Sequence, residues 1–194
     1  MATRRRRKTK SPARVLGIDP SLTSTGISIN GATAEFKNEL RGYERISYIV
    51  QEILSAIATY HPTHVCIEGY AMGRVGGMMF DRAELVGGLK LLCLSLGLPT
   101  IVVPPTTLKK YVTGNGSAKK PLMMATIKRK WGRSFVSSDR ADAFALEQFG
   151  LEFLGEQVVV RGEQACLKKA TIEHPTDRMK SLSDAYDRAL TRIA

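Results

Sequence analysis

Short apolar runs alternate along this chain with stretches whose apolar residues recur every three or four positions. Residues 15–19 form an apolar run that ends in Asp19, and two further runs on either side of Gly31 predict an antiparallel meander with it. Residues 43–60 have helical spacing of their apolar positions. A strand over residues 63–69 follows that helix, so we expect it to lie parallel to the first strand.

The second half of the chain adds one strand and several helices. The same patterns predict a strand at 100–103 and helices at 78–96, 106–112, 121–131 and 139–154. The order β-β-β-α-β-α-β-α predicts an α/β fold with a mixed five-stranded sheet flanked by helices. We divide the chain into a basic tail at 1–13, this domain at 14–154, and an extension at 155–194 that ends in an amphipathic helix.

Composition narrows the class of protein. The chain has 194 residues, of which 43% are apolar, enough for one domain with a substantial core. Its longest uncharged apolar stretch contains Gly97 and Pro99, so we expect no membrane-spanning helix, and no secretory signal is evident behind the basic start. The three cysteines are far apart and predict neither a disulfide framework nor a zinc site, which fits the reducing cytoplasm.

The charge is unevenly distributed and predicts a polyanionic partner. The net charge is +11, and residues 1–14 contain seven Lys or Arg and no acid. A second basic zone, residues 109–140, has nine Lys or Arg against Asp139 alone. The tail by itself is equally compatible with phosphate contacts and with a targeting or solubility role.

Four acidic residues occupy positions that suit a metal site. Asp19 and Glu68 end two strands that we expect to be parallel neighbours, while Asp139 and Asp142 are three residues apart on one helix face. If they converge, their mutual repulsion requires cations. Oxygen ligands favour Mg²⁺ or Mn²⁺, and a pair of ions about 4 Å apart supports phosphodiester hydrolysis.

A purely structural role is the alternative for each acid. An acid at a strand end can cap a neighbouring helix, and Asp139 and Asp142 suit the start of a helix, where negative charge is favourable. Asp142, however, lies among Ala141, Ala143 and Phe144, an apolar setting in which an unpaired charge is costly. The shared metal site is therefore the better interpretation of the four together.

The motifs that contain these acids resemble one known family. Gly17-Ile18-Asp19-Pro20 with Thr25-Gly26, then Ile67-Glu68 and Asp139-x-x-Asp142-Ala143, are similar to the RuvC family of Holliday junction resolvases. The segment 109–120, in which lysines flank a Gly-x-Gly-Ser-Ala turn, resembles that family as well. The strand motif alone is also typical of sugar kinases and actin-like ATPases, but the second phosphate-binding repeat of such ATPases is not evident.

The resemblance implies an RNase H-like fold and a specific set of site residues. Asp19, Glu68, Asp139 and Asp142 would ligate two Mg²⁺ ions, for which Mn²⁺ would substitute. Lys120 would stabilise charge in the transition state, and Lys109 would contact a phosphate. Candidate DNA contacts of lower rank are Lys119 and three residues of the loop in which the family places a wedging aromatic residue, Tyr70, Met72 and Arg74.

The resemblance implies a metal-dependent endonuclease that nicks opposing strands of four-way DNA junctions. Paired nicking implies a homodimer, with helix 78–96 as interface or simply as core. A less selective nuclease for branched or flap DNA and a catalytically inert junction-binding protein are the alternatives. The shortened, non-standard pattern suggests a phage-type member that acts in a bacterial cytoplasm.

Overall fold

A computed structural model describes residues 12–70, 77–157 and 164–175, and it gives one sheet with helices on both faces. The strands run in the order β3-β2-β1-β4-β5-β6. The strands are β1 Val15–Asp19, β2 Ser24–Ile29, β3 Ala32–Lys37, β4 His64–Glu68, β5 Thr100–Val103 and β6 Thr171–Glu173. The helices are α1 Gly42–Tyr60, α2 Gly77–Ser95, α3 Pro105–Thr113, α4 Lys120–Trp131, α5 Ser138–Phe153 and α6 Gln164–Leu167.

The centre of the sheet is parallel and its flanks are antiparallel. β1 pairs with β4 in parallel, and β4 pairs in parallel with β5. The hairpin of β2 and β3 turns at Asn30 and Gly31, both of which have positive φ, and β2 returns antiparallel to β1. All five residues of β1 are buried, as expected for a strand covered on both faces.

Side chains that alternate along the strands feed two separate cores. Leu16 and Ile18 of β1 belong to the core beneath α1 and α2, together with Leu85 and Leu89 of α2. Val15 of β1 and Cys66 of β4 point to the opposite core, which α3, α4 and α5 cover. By the same alternation Asp19 and Glu68 fall on the α5 side of the sheet.

The predicted mixed sheet with flanking helices is confirmed, but its strand count is six and not five. The extra strand, β6, pairs antiparallel with β5 and covers what would otherwise be an exposed edge. Its three residues are too short a run to give a period-2 signal. The basic tail up to residue 11 and the helix predicted at the end of the chain lie outside the described residues. Among the described residues no helix is long and apolar enough to cross a membrane.

Candidate active site

Two of the predicted acids lie at the ends of neighbouring parallel strands. In the register of β1 and β4, Ile18 is opposite Ile67, so Asp19 and Glu68 are the next residues on their strands. Both strands point their carboxyl ends to the same edge of the sheet, which is where open α/β sheets place their ligands. Asp19 is only 8% exposed, and the Glu68 side chain is 12% exposed.

The other two acids come from the first turns of α5, which crosses the sheet unusually closely. A Cβ added to Gly26 of β2 would lie 2.2 Å from the carbonyl oxygen of Asp139, and one added to Gly17 of β1 would lie 2.2 Å from that of Ala143. Only glycine fits at such distances. The two glycines of the sequence motif therefore let α5 bring Asp139 and Asp142 over the ends of β1 and β4.

The start of α5 is fixed by its own capping residue. The Ser137 hydroxyl accepts a hydrogen bond from the Arg140 N–H at 3.3 Å and donates one to Glu35 of β3. The Arg140 guanidinium lies 3.8 Å from the same Glu35 carboxylate. The Ser137 hydrogen bond is the largest of the effects that lower the pKa of Glu35, followed by the contact with Lys37. The hydrogen bond between Ser137 and Glu35 anchors the start of α5 to β3, so the position of Asp139 is well defined.

The four acids influence one another electrostatically, as a shared site requires. Burial raises the pKa of Asp19 well above its usual value, and the charges of Glu68, Asp142 and Asp139 add to that rise. Burial, reinforced by Glu68 and Asp139, raises the pKa of Asp142 to about 7. The pKa of Glu68 is also raised, mainly by burial. The structure therefore brings the four carboxylates within electrostatic range of one another at this edge of the sheet.

The types of residue present at this edge of the sheet fit divalent cations. Among the described residues, no three acidic, histidine or cysteine groups stand in an ion-coordinating arrangement. The donors at this edge of the sheet are carboxylate oxygens, the ligand type that Mg²⁺ and Mn²⁺ prefer. Burial and the neighbouring carboxylates raise the pKa of Asp19 and Asp142, and a divalent ion would stabilise their ionised forms.

Lys120 and Lys109 flank the acids. The Lys120 ammonium donates a hydrogen bond to the Ser138 hydroxyl at 2.8 Å and lies 3.6 Å from the Asp139 carboxylate. The charges of Lys120 and Lys109 both lower the pKa of Glu68 and of Asp142, so both lysines lie within electrostatic range of these acids. Lys119 precedes α4 and is exposed, without a comparable contact to the acids.

The loop that follows Glu68 is only partly described. Tyr70 is 44% exposed, and its hydroxyl donates a hydrogen bond to the Ala83 carbonyl of α2 at 3.2 Å. Met72 and Arg74, the other candidate DNA contacts, lie outside the described residues. Beside Tyr70 opens a cavity of about 340 Å³ that Thr106 and Lys169 also line. Lys169 precedes β6, so its position at this cavity depends on a strand that the sequence pattern does not reveal.

Arg82 is the site residue that the sequence pattern missed. Its guanidinium lies 2.5 Å from the Glu68 carboxylate, and its charge lowers the pKa of both Glu68 and Asp19. Arg82 is one of four charged residues in the helix predicted at 78–96, and such charges usually mark the solvated face. No spacing rule links it to Glu68, fourteen residues earlier in the chain.

Known proteins resemble this chain over most of the described domain. Residues 15–147 match the family model described as crossover junction endodeoxyribonuclease RuvC. The RuvC of Corynebacterium diphtheriae is 32% identical over 146 residues, which cover 68% of this chain and 89% of that protein. The RuvC of Caldicellulosiruptor saccharolyticus is 30% identical over 149 residues, covering 69% and 89%. The chain spans 66% of the longer Corynebacterium efficiens RuvC, with 32% identity over 148 residues.

Solved structures support the same fold. The structure of Thermus thermophilus RuvC in complex with Holliday junction substrate superposes with a TM-score of 0.62 at 19% identity, covering 83% of this chain and 99% of that one. Another Thermus thermophilus RuvC structure gives a TM-score of 0.60, also at 19% identity, over 82% of this chain and 99% of that one. The RNase H-like fold and the family resemblance predicted from the motifs are thus confirmed. With most of its length matched by the family model, and with relatives at 30% identity or more, the chain belongs to the RuvC family of crossover junction endodeoxyribonucleases.

Proposed function

We propose that this chain is a divalent-metal-dependent endonuclease that resolves four-way DNA junctions by paired nicking. The observation that carries the proposal is the convergence of Asp19, Glu68, Asp139 and Asp142 from two strand ends and one helix. Family membership gives the class of enzyme, and this arrangement supports the choice of these four residues. Domain 14–154 contains the whole set, so it is the proposed nuclease domain.

The four carboxylates would hold the metal, which we propose to be a pair of Mg²⁺ ions replaceable by Mn²⁺. When bound, such ions activate a water and stabilise the leaving oxygen in phosphodiester hydrolysis. The chain's part is to present oxygen ligands from rigid elements: β1, β4 and the capped start of α5. Burial at the sheet edge limits competing water and strengthens the electrostatic interactions of these carboxylates.

The basic residues around the acids would bind the DNA backbone. Lys120 lies close enough to Asp139 to meet the scissile phosphate, and Lys109 faces Glu68 and Asp142. The last turn of α4 is also basic, with Lys128, Arg129 and Lys130. Phosphate contacts of this kind recognise shape and not sequence. Tyr70, Met72 and Arg74 remain candidates for contacts at the branch point, and Lys119 for a phosphate.

Paired nicking requires two sites, and we propose that two copies associate through α2. Phe80 is 62% exposed and Leu91 is 58% exposed, both on this helix, so α2 retains apolar surface after packing on the core. The relative from Thermus thermophilus has been solved with a Holliday junction substrate. All three cysteines are buried, which fits action in the reducing cytoplasm of a bacterial cell.

A gel assay on synthetic DNA tests the proposal. With Mg²⁺ the protein should nick a four-way junction and leave 5′-phosphate ends, and EDTA should abolish the cleavage. Asp142→Asn should bind the junction but not cut it, while Asp81→Asn, an exposed control on α2, should cut normally. Cleavage by Asp142→Asn at the unaltered rate would remove Asp142 from the site.

The same assay separates the alternatives. Similar rates on junctions, three-way forks and flaps would favour a general debranching nuclease. The hydrogen bond of the Tyr70 hydroxyl to α2 supports this alternative, because it ties a candidate branch-point residue to the protein. Binding without cleavage in Mg²⁺ and in Mn²⁺ would identify an inert junction-binding protein. Light scattering of the free protein should give the mass of a dimer, and a monomer that cuts both strands would contradict paired action.

A further inference from the structure

Arg82 already occupies the position of a cation at one of the proposed metal ligands. Its Nη2 atom donates a short, charge-assisted hydrogen bond of 2.5 Å to Oε2 of Glu68. The Glu68 side chain is 12% exposed and that of Arg82 is 41% exposed, so the pair bridges the buried acids and the solvent. The same guanidinium also acts on Asp19, whose pKa it lowers.

A divalent ion and this guanidinium would compete for the same oxygens. The Glu68 oxygen engaged by Arg82 must be at least partly released for an ion to use it, and a second positive charge beside the ion opposes its binding. The Arg82 Nε atom is buried and has no hydrogen-bond partner in the described part of the chain. The guanidinium is therefore only partly satisfied by Glu68, and a phosphate oxygen would be a better partner.

We propose that Arg82 is a positioning residue that holds Glu68 in the metal-free protein and gives it up when DNA and metal bind. This inference rests on the proposed ligation of a divalent ion by Glu68. The guanidinium lowers the repulsion among the acids while no ion is present. A DNA phosphate that draws Arg82 away frees the carboxylate, so substrate and metal bind cooperatively.

Calorimetric titration with Ca²⁺, an oxygen-binding ion used here as the probe, tests the competition without any cleavage readout. In Arg82→Gln we expect the Ca²⁺ dissociation constant to fall about tenfold, the effect of removing one nearby charge. Arg82→Lys retains the charge and should stay close to wild type. An affinity in Arg82→Gln that equals or falls below that of wild type would overturn the proposal.

Lys90 provides a matched control on the same helix. It forms an ion pair of 2.6 Å with Glu173, similar in length to that of Arg82, but with a partner outside the proposed site. Lys90→Gln should therefore leave Ca²⁺ affinity unchanged. If it tightens binding as much as Arg82→Gln does, net charge explains the effect and the specific role of Arg82 is wrong.

Two measurements address the release step. In the wild-type protein the Nε–H resonance of Arg82, assigned by its loss in Arg82→Lys, should shift when Ca²⁺ is added, and an unmoved resonance would contradict release.

Junction DNA should raise Ca²⁺ affinity by a larger factor in wild type than in Arg82→Gln, and equal factors would refute the cooperativity. A wild-type protein that binds no Ca²⁺ with or without DNA would overturn the proposed function too, whereas binding that is indifferent to Arg82 overturns this inference alone.

Discussion

Replacing Asp142 by asparagine should stabilise the metal-free protein while it abolishes cleavage. The pKa of Asp142 rises from its usual 3.8 to about 7, chiefly because the carboxylate is buried beside Glu68. At about 1.36 kcal/mol for each pH unit, keeping this group ionised costs the fold about 4 kcal/mol. Asparagine has nearly the same shape and no charge, so Asp142→Asn should recover most of that free energy at pH 8.

The pH dependence of this gain is the more decisive quantity. The folded protein binds the Asp142 proton more tightly than the unfolded chain, so the wild-type free energy of unfolding falls as pH rises from about 4 to about 7. At pH 5 the gain in Asp142→Asn should be only about 2 kcal/mol, because folded wild type is then largely protonated at this site.

Urea unfolding in EDTA at pH 5 and pH 8 measures both values. The exposed control Asp81→Asn should change the free energy of unfolding by less than about 0.5 kcal/mol at either pH. Saturating Ca²⁺ should reverse the order at pH 8, since the ion stabilises wild type more than a variant that lacks one ligand. A variant no more stable than wild type at pH 8, or equally stabilised at both pH values, would refute the electrostatic argument.

Further predictions concern how the helix is held over the strands and how metal stabilises the fold. Gly26→Ala places a Cβ against the Asp139 carbonyl and should reduce both stability and cleavage. Gly88→Ala, with nothing within 4 Å of its Cβ in the interior of α2, should slightly raise the melting temperature, because alanine is the better helix former; equal melting temperatures for the two variants would contradict the close approach of α5. Ser137→Ala removes the cap of α5 and should cost about 1 kcal/mol in urea unfolding, and no loss would show that the cap is not needed. Mg²⁺ should raise the melting temperature of wild type, and should do so much less for Asp19→Asn; an equal rise would remove Asp19 from the ligand set.

Much of the fold was predictable because the elements that build it have strong local signals. A continuous apolar run predicts the strand that ends in Asp19, and helical spacing of apolar positions predicts the helix over residues 43–60. The structure places them at Val15–Asp19 and Gly42–Tyr60. The position of Asp19 and Glu68 at one edge of the sheet followed from a topological rule, that neighbouring parallel strands end at the same edge. The glycines that admit α5 were visible as a motif, but their packing role appears only with α5 in place.

The features that were missed depend on contacts between distant parts of the chain. Arg82 meets Glu68 because α2 packs on the same core that β4 enters, and neither residue's neighbours in the sequence specify that pairing. The strand Thr171–Glu173 is ordered by β5, its partner, and its own three residues carry no periodic signal. Tertiary partners decide such short or isolated features, so single-sequence patterns do not reveal them.

The late strand β6 has a bearing on how shortened versions of this protein should be made. A chain that stops after α5 would leave the backbone of Thr100, Ile101 and Val102 unpaired along one side, and would lose the tie between Lys90 and Glu173. Such an open strand invites pairing between molecules and aggregation. A trimmed nuclease domain should therefore keep residues through Glu173.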